Sequence, residues 1–517
     1  MWADQFNTSF WARTTVALGI LYAALSHFYR RRSALNAVPT IHWSARYSPA
    51  WIRWQRLRDR GTLLVHQAHL RHGPVVRLAP RELSVCDVDT SLKPIYDGRL
   101  PKTDWYQLAA SYGTARMFSM KDEASHRKRR RMVAKPYSKS YLTENREWQE
   151  RQAGLACDMR ATVEKACREA GGEVDFGVLF FAWALASVST DVFGADAAEH
   201  HLDDLAEART VKVKYDGQLS AALTAVAWSR CVPRWLLGWL GYSTNMTCIE
   251  EMRGRADAAS AIQAPSKSAE PRSTPYEHMK SQMLRGPPGE PQSDAKQLSR
   301  NQQAATASEM QDHIVASVDT STIALTTCAW LLSLESNRQW QDKLRHESQR
   351  FEDPFSAVNI DNSPILEAII EETLRLYPPV AGRQPRVTDK TISVGPPGHQ
   401  VTMPAGVTVH AQAWSLHRNP TIFPEPEVWD PQRWLECSPE QPKQMNAWLW
   451  AYGSGSRRCL GEHLALSSLE VALVAVYGGF ETWVTQKTRF EVKVWNVLQP
   501  VTRDGSVLRL HVGKATA

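Results

Sequence analysis

Cys459 stands in the run Trp450–Gly461 (WAYGSGSRRCLG), which constrains this chain more than any other segment. Glycines occupy positions 453 and 455, and the sequence from Glu462 (EHLALSSLEVALVAV) has the apolar spacing of an amphipathic helix. The cysteine therefore lies just before a helix N-terminus, where free backbone N–H groups and the helix dipole stabilise a thiolate. The alternative is an inert buried cysteine beside a Gly/Ser turn.

The glycines and the arginine of this loop favour the thiolate. Glycine has no Cβ, so Gly455 and Gly461 would let the backbone approach a flat molecule closely. Arg457 can pair with a carboxylate beside that molecule. A thiolate, a close-approach surface and an anion partner together indicate a socket for haem iron, with Cys459 as axial ligand.

The run from Tyr452 to Gly461 resembles the haem loop of the cytochrome P-450 family, Phe-x-x-Gly-x-Arg-x-Cys-x-Gly. Gly455, Arg457 and Cys459 match, and Tyr452 replaces the phenylalanine with another aromatic ring. The resemblance implies a mainly α fold with small β-sheets and a haem held by Cys459. Tyr452, Gly455, Arg457 and Gly461 would line the cofactor. The chain is most similar to microsomal fungal members of the family, which often belong to secondary metabolism.

A long apolar segment predicts a helix from Ser308, the start of a Ser-x-x-Gln capping box, to about Glu335. Inside it stand Asp319 and Thr320, a pair that is costly to bury unless something uses it. A carboxylate and a hydroxyl joined by water can deliver the protons that oxygen activation requires. The alternative is a threonine bonded back to the helix and an aspartate in a surface ion pair.

The same segment resembles the oxygen-binding motif of the family, Ala/Gly-Gly-x-Asp/Glu-Thr. Ala316, Asp319 and Thr320 match, so the resemblance implies that Asp319 and Thr320 are catalytic. Ser317 stands where the family usually has the glycine that leaves room for dioxygen. This departure bears on how efficiently oxygen reduction is coupled to substrate oxidation.

Glu372 and Arg375 share one face of a helix that begins at Ser363-Pro364 and ends before Pro378-Pro379. Such a pair is usually a solvated surface contact of small energy. Together with Arg433 in the run WDPQRW, however, it resembles the Glu-x-x-Arg and Phe-x-Pro-x-Arg-Phe motifs of the family. The resemblance implies a structural triad of Glu372, Arg375 and Arg433 that holds the chain before the haem loop.

Basic residues provide further candidates for the cofactor site. His126 and Arg130 lie four apart in the predicted helix SHRKRRR, which by itself is typical of a solvated helix face. By the family resemblance, His126, Arg130 and Arg386 would hold the haem propionates, with Arg383 a weaker candidate. The cationic surface around them would suit an acidic flavoprotein electron donor.

The N-terminal segment Trp11–Tyr29 is largely apolar and is followed by Arg30–Arg32. Its length just spans a bilayer core, and the arginines place the following chain in the cytosol. We predict a single-pass anchor over residues 1–32 in the endoplasmic reticulum, with a glycosylation sequon at Asn7 in the lumen. A helix lying on the membrane surface is the alternative, and a cleaved signal peptide fits less well because the positive charge follows the apolar stretch.

The remainder predicts one catalytic domain over residues 33–517, in which the Pro- and Ser-rich stretch 265–303 forms a mobile surface loop. The 517 residues are 43% hydrophobic and carry a net charge of +7, and the eight cysteines show no C-x-x-C spacing. Two short strands are expected in PVVRLAP and ELSVCDV. A nucleic-acid partner is disfavoured because no recognition motif accompanies the basic charge.

These patterns predict a membrane-anchored haem-thiolate monooxygenase that oxidises a lipophilic small molecule. Electrons would come from NADPH through a separate reductase, because the chain shows no flavin or nicotinamide fingerprint. One alternative is an enzyme of the same fold that rearranges or dehydrates a pre-oxidised substrate without a reductase. A non-enzymatic haem sensor and a scaffold without haem are two others.

Overall fold

The computed structural model describes most of the chain from residue 34 onward. The predicted anchor over residues 1–32, with Asn7, lies outside the described residues apart from positions 14 and 17. The described residues are 14, 17, 34–109, 111–169, 172–228, 236, 245–262, 274–285, 298–350, 355, 362–436, 441–485, 488, 490–494, 497–501 and 508–515.

Helices dominate, and the strands are short, so the prediction of a mainly α fold with small sheets is confirmed. The α-helices are α1 Ala50–Leu57, α2 Gly61–His72, α3 Glu123–Val133, α4 Lys139–Glu144, α5 Arg146–Arg168, α6 Phe176–Phe193, α7 Leu205–Trp228, α8 Thr247–Ile262, α9 Pro275–Arg285, α10 Arg300–Leu332, α11 Arg338–Ser348, α12 Pro364–Leu376, α13 Ala413–Leu416, α14 Gln432–Leu435, α15 Gln441–Trp448 and α16 Glu462–Tyr477. The strands are β1 Val75–Ala79, β2 Glu82–Val85, β3 Glu173–Asp175, β4 Arg386–Val387, β5 Ile392–Val394, β6 Val401–Met403, β7 Thr408–His410, β8 Phe480–Trp483, β9 Glu491–Val494, β10 Leu498–Val501 and β11 Arg509–Lys514.

Shorter helical turns connect these elements. A π-helical segment spans Val88–Asp97. The 3-10 turns are Ala34–Ala37, Trp43–Arg46, Asp104–Ala109, Lys135–Tyr137, Ala195–Ala197, Glu335–Asn337 and Gly455–Arg457.

The first of two compact units comprises residues 1–100 and 383–416. Its sheet has the order β1-β2-β7-β4; β1 and β2, the two strands that the sequence predicted, pair antiparallel, and β2 pairs parallel with β7. Ile52 of α1 and Val65 of α2 share a buried cluster with Val76 and Leu78 of β1. Helices α1 and α2 therefore pack on this sheet.

The second unit comprises residues 101–382 and 417–517 and is mostly helical. Helix α6 is buried along its whole length and packs against α10, and its first N–H groups at Gly177 and Val178 donate to the Asp175 carboxylate. Helices α5, α12 and α16 contribute to the same core, as do strands β8 and β11. Because its neighbours cover α6 on all sides, the predominantly apolar run FGVLFFAWALASVSTDVF forms a core helix.

Two described helices, α6 and α10, are long and apolar enough to cross a membrane. All of the apolar window in α6 and 61% of that in α10 is buried inside the protein. Such burial is typical of core helices of a globular body.

The predicted start of the oxygen helix is wrong. Helix α10 begins at Arg300, and its capping box is Ser299 with Gln302, whose side chain reaches back to the Ser299 N–H at 2.8 Å. The Ser308 and Gln311 of the predicted box are buried in the helix interior. A Ser-x-x-Gln pattern occurs twice in this stretch, and the polar sequence before Ser308 concealed the earlier one.

The prediction of a loop over residues 265–303 is wrong for α9, Pro275–Arg285. Thr274 caps this helix through its hydroxyl, which accepts the Glu277 N–H at 3.2 Å. Tyr276 and Met279 are buried in a hydrophobic cluster with residues of α6 and α10. Tertiary burial therefore outweighs the polar composition, and the Thr-Pro-x-Glu start was the signal that could have identified the helix.

Candidate active site

The loop before Cys459 is held in place by its own backbone. The Cys459 N–H donates to the Tyr452 carbonyl at 2.9 Å, and the Arg458 N–H donates to the Gly455 carbonyl at 3.1 Å. Gly453 and Gly455 have φ of 69° and 68°, a region that other residues adopt only with strain. The turn itself therefore requires both glycines, whatever the loop binds.

The Cys459 thiol lies between this turn and the N-terminus of α16. Burial raises the pKa of the thiol, while the Gly461 N–H and the guanidinium groups of Arg130 and Arg458 counteract that rise. The Cys459 side chain keeps some exposure to solvent, but closely packed protein atoms remove most of its hydration. This lost hydration raises the pKa of the thiol more than the cationic neighbours lower it. A bound metal ion deprotonates a coordinating thiol, and these same donors would then stabilise the thiolate.

Open space lies beside the loop that carries Cys459. A Cβ placed on Gly461 would meet no atom within 4 Å. Leu460 packs against the cluster that contains Val318, so the cysteine loop and the middle of α10 border one cluster. Ala316 is exposed although much of α10 around it is buried. An accessible thiol with cationic neighbours and open space beside it fits a haem with a thiolate ligand.

Helix α3 carries two of the predicted cofactor-binding residues. His126 is 4% exposed, and the Arg130 Nη1 donates to the Arg458 carbonyl at 2.8 Å. Burial lowers the pKa of Arg130, whereas the nearby Cys459 raises it. The structure therefore brings Arg130 next to the cysteine loop.

Arg457 makes different contacts from those predicted. Its guanidinium donates to the carbonyls of Met120, Lys121 and Asp122 at 2.9–3.2 Å and pairs with Glu123 at 3.3 Å. These acceptors surround the start of α3, so Arg457 ties the cysteine loop to that helix. The sequence could not show this because the two segments are far apart in the chain.

Arg386 belongs to the first unit and is 3% exposed. Its guanidinium carbon lies 4.8 Å from the centre of the Tyr96 ring. Its Nη1 donates to the Pro385 carbonyl at 3.1 Å. Arg383 of the same unit pairs instead with Glu82 at 3.4 Å.

On α10, the two predicted catalytic residues make separate contacts. The Thr320 hydroxyl donates to the Ala316 carbonyl at 2.7 Å. Burial raises the pKa of Asp319 to about 7, with a further rise from Asp216 of α7 and a smaller opposing effect of Tyr215. Among the described residues Asp319 forms no ion pair, so the surface ion pair considered above is absent from this part of the chain.

Glu372, Arg375 and Arg433 meet in one buried network. The Arg375 Nε and Nη2 each lie 2.8 Å from a Glu372 carboxylate oxygen, and the Arg433 Nε lies 3.0 Å from one of them. The Asp430 N–H at 2.9 Å and the Trp434 Nε1 at 3.0 Å also donate to Glu372. Glu372 and Arg375 have no exposed side-chain surface, which distinguishes them from a solvated surface pair.

Two members of this network were missed from the sequence. The run WDPQRW ends in Trp434, but the sequence alone does not identify its indole N–H as a donor to Glu372. His417 was not singled out, although its ring connects the Arg375 carbonyl at 2.9 Å to the Trp450 N–H at 2.7 Å. A histidine beside an apolar run (TVHAQAWSLHR) was the available signal, but it does not identify the partners.

The fold and this site agree with comparisons with known proteins. The family model for cytochrome P-450 matches residues 58–502, so the chain belongs to the cytochrome P-450 family. It is therefore a haem-thiolate monooxygenase by class.

Three curated relatives from fungi are each 26% identical to the chain. Cytochrome P-450 monooxygenase hepC of Aspergillus oryzae aligns with 97% of this chain and 100% of its own length. Cytochrome P-450 monooxygenase stcF of Emericella nidulans aligns over 89% of both chains. Averantin hydroxylase of Aspergillus parasiticus aligns with 85% of this chain and 83% of its own.

Proposed function

We propose that this monooxygenase oxidises a lipophilic small molecule of fungal secondary metabolism, with electrons from NADPH through a separate flavoprotein reductase. The observation that carries the proposal is the Cys459 thiol, which is accessible, precedes a helix and lies near Arg130 and Arg458. One of the relatives is named as a hydroxylase of averantin, and others as monooxygenases, which supports a small organic substrate.

In this proposal, the Cys459 thiolate would hold the haem iron. When bound, the thiolate-ligated haem supplies the oxygen chemistry and favours O–O cleavage. Tyr452, Gly455 and Gly461 shape the loop against the macrocycle. His126, Arg130, Arg386 and Arg457 are proposed to compensate the propionate charges. Arg457 would need to share its donors, because it also bonds to carbonyls at the start of α3.

Asp319 and Thr320 are proposed to move protons at the distal side. A carboxyl with a pKa of about 7 can both release and accept a proton near neutral pH. The Thr320 hydroxyl donates to Ala316 and keeps its lone pairs available for a water molecule. Glu372, Arg375 and Arg433 act at a distance by fixing the chain that leads to the cysteine loop.

The electron donor is proposed to dock on the cationic surface of α3. Arg127, Lys128 and Arg131 are exposed on this helix, and Arg130 of the same helix reaches the cysteine loop. Opposite charges steer association and set its orientation, so an acidic flavoprotein is the matching partner. The apolar N-terminus, followed by arginines, would anchor the enzyme to the endoplasmic reticulum with Asn7 in the lumen.

The test is spectroscopic and uses the full-length chain loaded with haem. Reduction under carbon monoxide should give the strongly red-shifted band of a thiolate ligand. Cys459→His should abolish that band, and Cys157→Ser, which changes another exposed free cysteine, should preserve it. A retained band in the Cys459→His protein would reject this assignment.

A second measurement separates the alternatives. With reductase and a bound substrate, a monooxygenase consumes NADPH and forms an oxidised product. Product formation without NADPH would instead favour rearrangement or dehydration, for which the Ser317 substitution is the supporting observation. A haem sensor would bind ligand without substrate-dependent NADPH consumption.

A further inference from the structure

Tyr215 of α7 places a phenol hydroxyl in a hydrophobic cluster of the second unit. The residue is 2% exposed, and its ring centre lies 5.4 Å from that of Phe181 of α6. Among the described residues the buried hydroxyl makes no hydrogen bond of standard geometry. Because an unpaired buried hydroxyl costs free energy, the groups around it indicate its role.

The cluster around Tyr215 extends to the middle of α10. Val211 lies one turn before Tyr215 on α7, and both border the same hydrophobic cluster as Val315 and Val318 of α10. Residue 319 is one helical turn from residue 315 and adjacent to residue 318. Asp319 therefore lies on the side of α10 that faces the cluster of Tyr215.

The Asp319 carboxyl is the acceptor that the Tyr215 hydroxyl faces. The carboxylate acts on Tyr215 both as a charge and as a hydrogen-bonding group, and hydrogen bonding by Tyr215 lowers the pKa of Asp319. A phenol O–H is a donor and an ionised carboxylate is an acceptor only, so the two groups are complementary. A small rotation of the Asp319 side chain would complete the hydrogen bond.

The charged groups of α7 and α10 do not compete with Tyr215 for this carboxyl. Lys212 and Asp216 of α7 affect the pKa of Asp319 in opposite directions, and they pair with each other at 2.6 Å. On α10 itself the nearest ionisable residues are Asp312 and His313. Each lies at least six residues from Asp319, which is about 9 Å along the helix axis.

The ionisable groups of the other neighbouring helices have partners of their own. Cys248 of α8 acts on Tyr215, but its Sγ donates to the Gln218 side-chain oxygen at 3.3 Å. Asp191, the one ionisable residue of α6, accepts the indole N–H of Trp148 at 2.8 Å. Within the described residues, Tyr215 is therefore the donor best placed to bond with Asp319.

We propose that Tyr215 is a positioning residue that acts through Asp319, because its hydroxyl donates to the ionised carboxylate and holds it on the α7 side of α10. The proposal rests on the monooxygenase function proposed above and adds a residue to its proton relay. Thr320 follows Asp319 and lies about 100° further around the helix, where it bonds to Ala316. Tyr215 thereby controls when the carboxyl can turn toward Thr320.

The experiment follows the protonated carboxyl of Asp319 by infrared difference spectroscopy across the neutral pH range. It uses the full-length, haem-loaded protein without added substrate, and the band is assigned by its absence in Asp319→Asn. The wild-type band should disappear around pH 7. Tyr215→Phe keeps the ring and removes the donor, so the midpoint should rise by about one pH unit. The carbonyl frequency should also increase, because a hydrogen bond is lost.

Tyr276→Phe is the matched control. Tyr276 is 3% exposed in the same hydrophobic cluster, and its hydroxyl bonds to Asp257 of α8. This substitution removes a buried hydroxyl that does not act on Asp319, so the midpoint and the frequency should remain those of the wild type. The proposal is overturned if Tyr215→Phe leaves both values unchanged or if Tyr276→Phe shifts them equally.

A double-substitution cycle provides a measurement that a purely structural tyrosine would not affect. The free energy of urea unfolding at alkaline pH is compared for Tyr215→Phe, Asp319→Asn and the variant with both changes. The two effects should not add, because the second substitution removes an interaction that the first has already removed. Additive effects would also overturn the proposal.

The infrared titration and the haem signal report on different claims. Each variant is reduced under carbon monoxide, and the thiolate band tests the proposed function. A normal band with an unshifted midpoint in Tyr215→Phe would reject the role of Tyr215 alone. An absent band in the wild-type protein would reject the proposed function, and with it a role of Tyr215 in the reaction, even if the midpoint shifts.

Discussion

The Nε2 of His417 accepts a hydrogen bond of 2.7 Å from the backbone N–H of Trp450. Since Nε2 accepts, the proton is on Nδ1, which donates to the Arg375 carbonyl at 2.9 Å. Burial lowers the pKa of His417 to about 3, so the ring is neutral at physiological pH. One buried imidazole therefore joins the end of α12 to the start of the cysteine loop.

Replacement of this ring should destabilise the protein and loosen the cofactor. His417→Phe keeps an aromatic ring but leaves the Trp450 N–H and the Arg375 carbonyl buried without partners. We expect a loss of about 2–5 kcal/mol in the free energy of unfolding, measured by urea titration. The variant should also lose haem faster than the wild-type protein, measured by transfer of haem to apomyoglobin as the acceptor.

The control for this prediction is His346→Phe. His346 is exposed on α11, where, among the described residues, its Nδ1 bonds to the Asp342 carbonyl of the preceding turn. Its replacement should change stability by less than about 0.5 kcal/mol. Equal effects of the two substitutions would contradict the role assigned to His417.

The Glu372 carboxylate should be sensitive to loss of charge alone. Glu372→Gln keeps the shape but leaves the Arg375 and Arg433 guanidinium groups in a buried site without a counter-charge. We expect a loss of about 3–5 kcal/mol in thermal or urea unfolding. Glu481→Gln removes one partner of the surface pair with Arg338 and should cost at most about 1 kcal/mol.

The sequence predicted contacts between residues that are close along the chain, but not contacts between distant segments. Local patterns identified strands β1 and β2, the helix after Cys459 and the shared face of Glu372 and Arg375, because these follow from spacing along the chain. The burial of that pair depends on Arg433 and Trp434, which both contact Glu372. These two residues come from another segment of the chain, so only the fold shows their approach.

Two errors have the same origin. The predicted start of α10 is the second of two similar capping patterns, and the loop predicted over residues 265–303 contains α9. In both cases burial decided the outcome: Ser308 lies 3.1 Å from the Ser111 hydroxyl across the core, and Tyr276 and Met279 are covered by neighbouring helices. The periodicity of one sequence does not show which side chains the neighbouring elements will bury.

The hydroxyl of Thr320 should control the coupling of oxygen reduction to product formation. Thr320→Val should lower product per NADPH by about tenfold or more while NADPH oxidation continues and peroxide is released. Thr322→Val removes a hydroxyl on the same helix and should leave this ratio unchanged. Ser317→Gly should raise it if the Ser317 side chain restricts space for oxygen. The measurement compares product, peroxide and NADPH in one reaction, and normal coupling in Thr320→Val would contradict the proposed relay.

Glu371 on α12 should make stability depend on pH. Burial raises the pKa of its carboxyl from 4.5 to about 8, with further rises from Glu367 and Glu372. In the unfolded chain the group ionises near 4.5, so between pH 4.5 and 8 the folded state holds the extra proton. Stability therefore falls as pH increases across this window.

Glu371→Gln removes that dependence, because the amide is neutral in both states. The variant should be more stable than wild type by about 4 kcal/mol at pH 8, and the difference should nearly disappear near pH 4.5. Thermal unfolding of the haem-loaded protein across this pH range provides the measurement. Glu335→Gln, at an exposed position, should follow the wild-type curve throughout. A Glu371→Gln protein that runs parallel to wild type at every pH would show that this carboxyl ionises normally in the folded state.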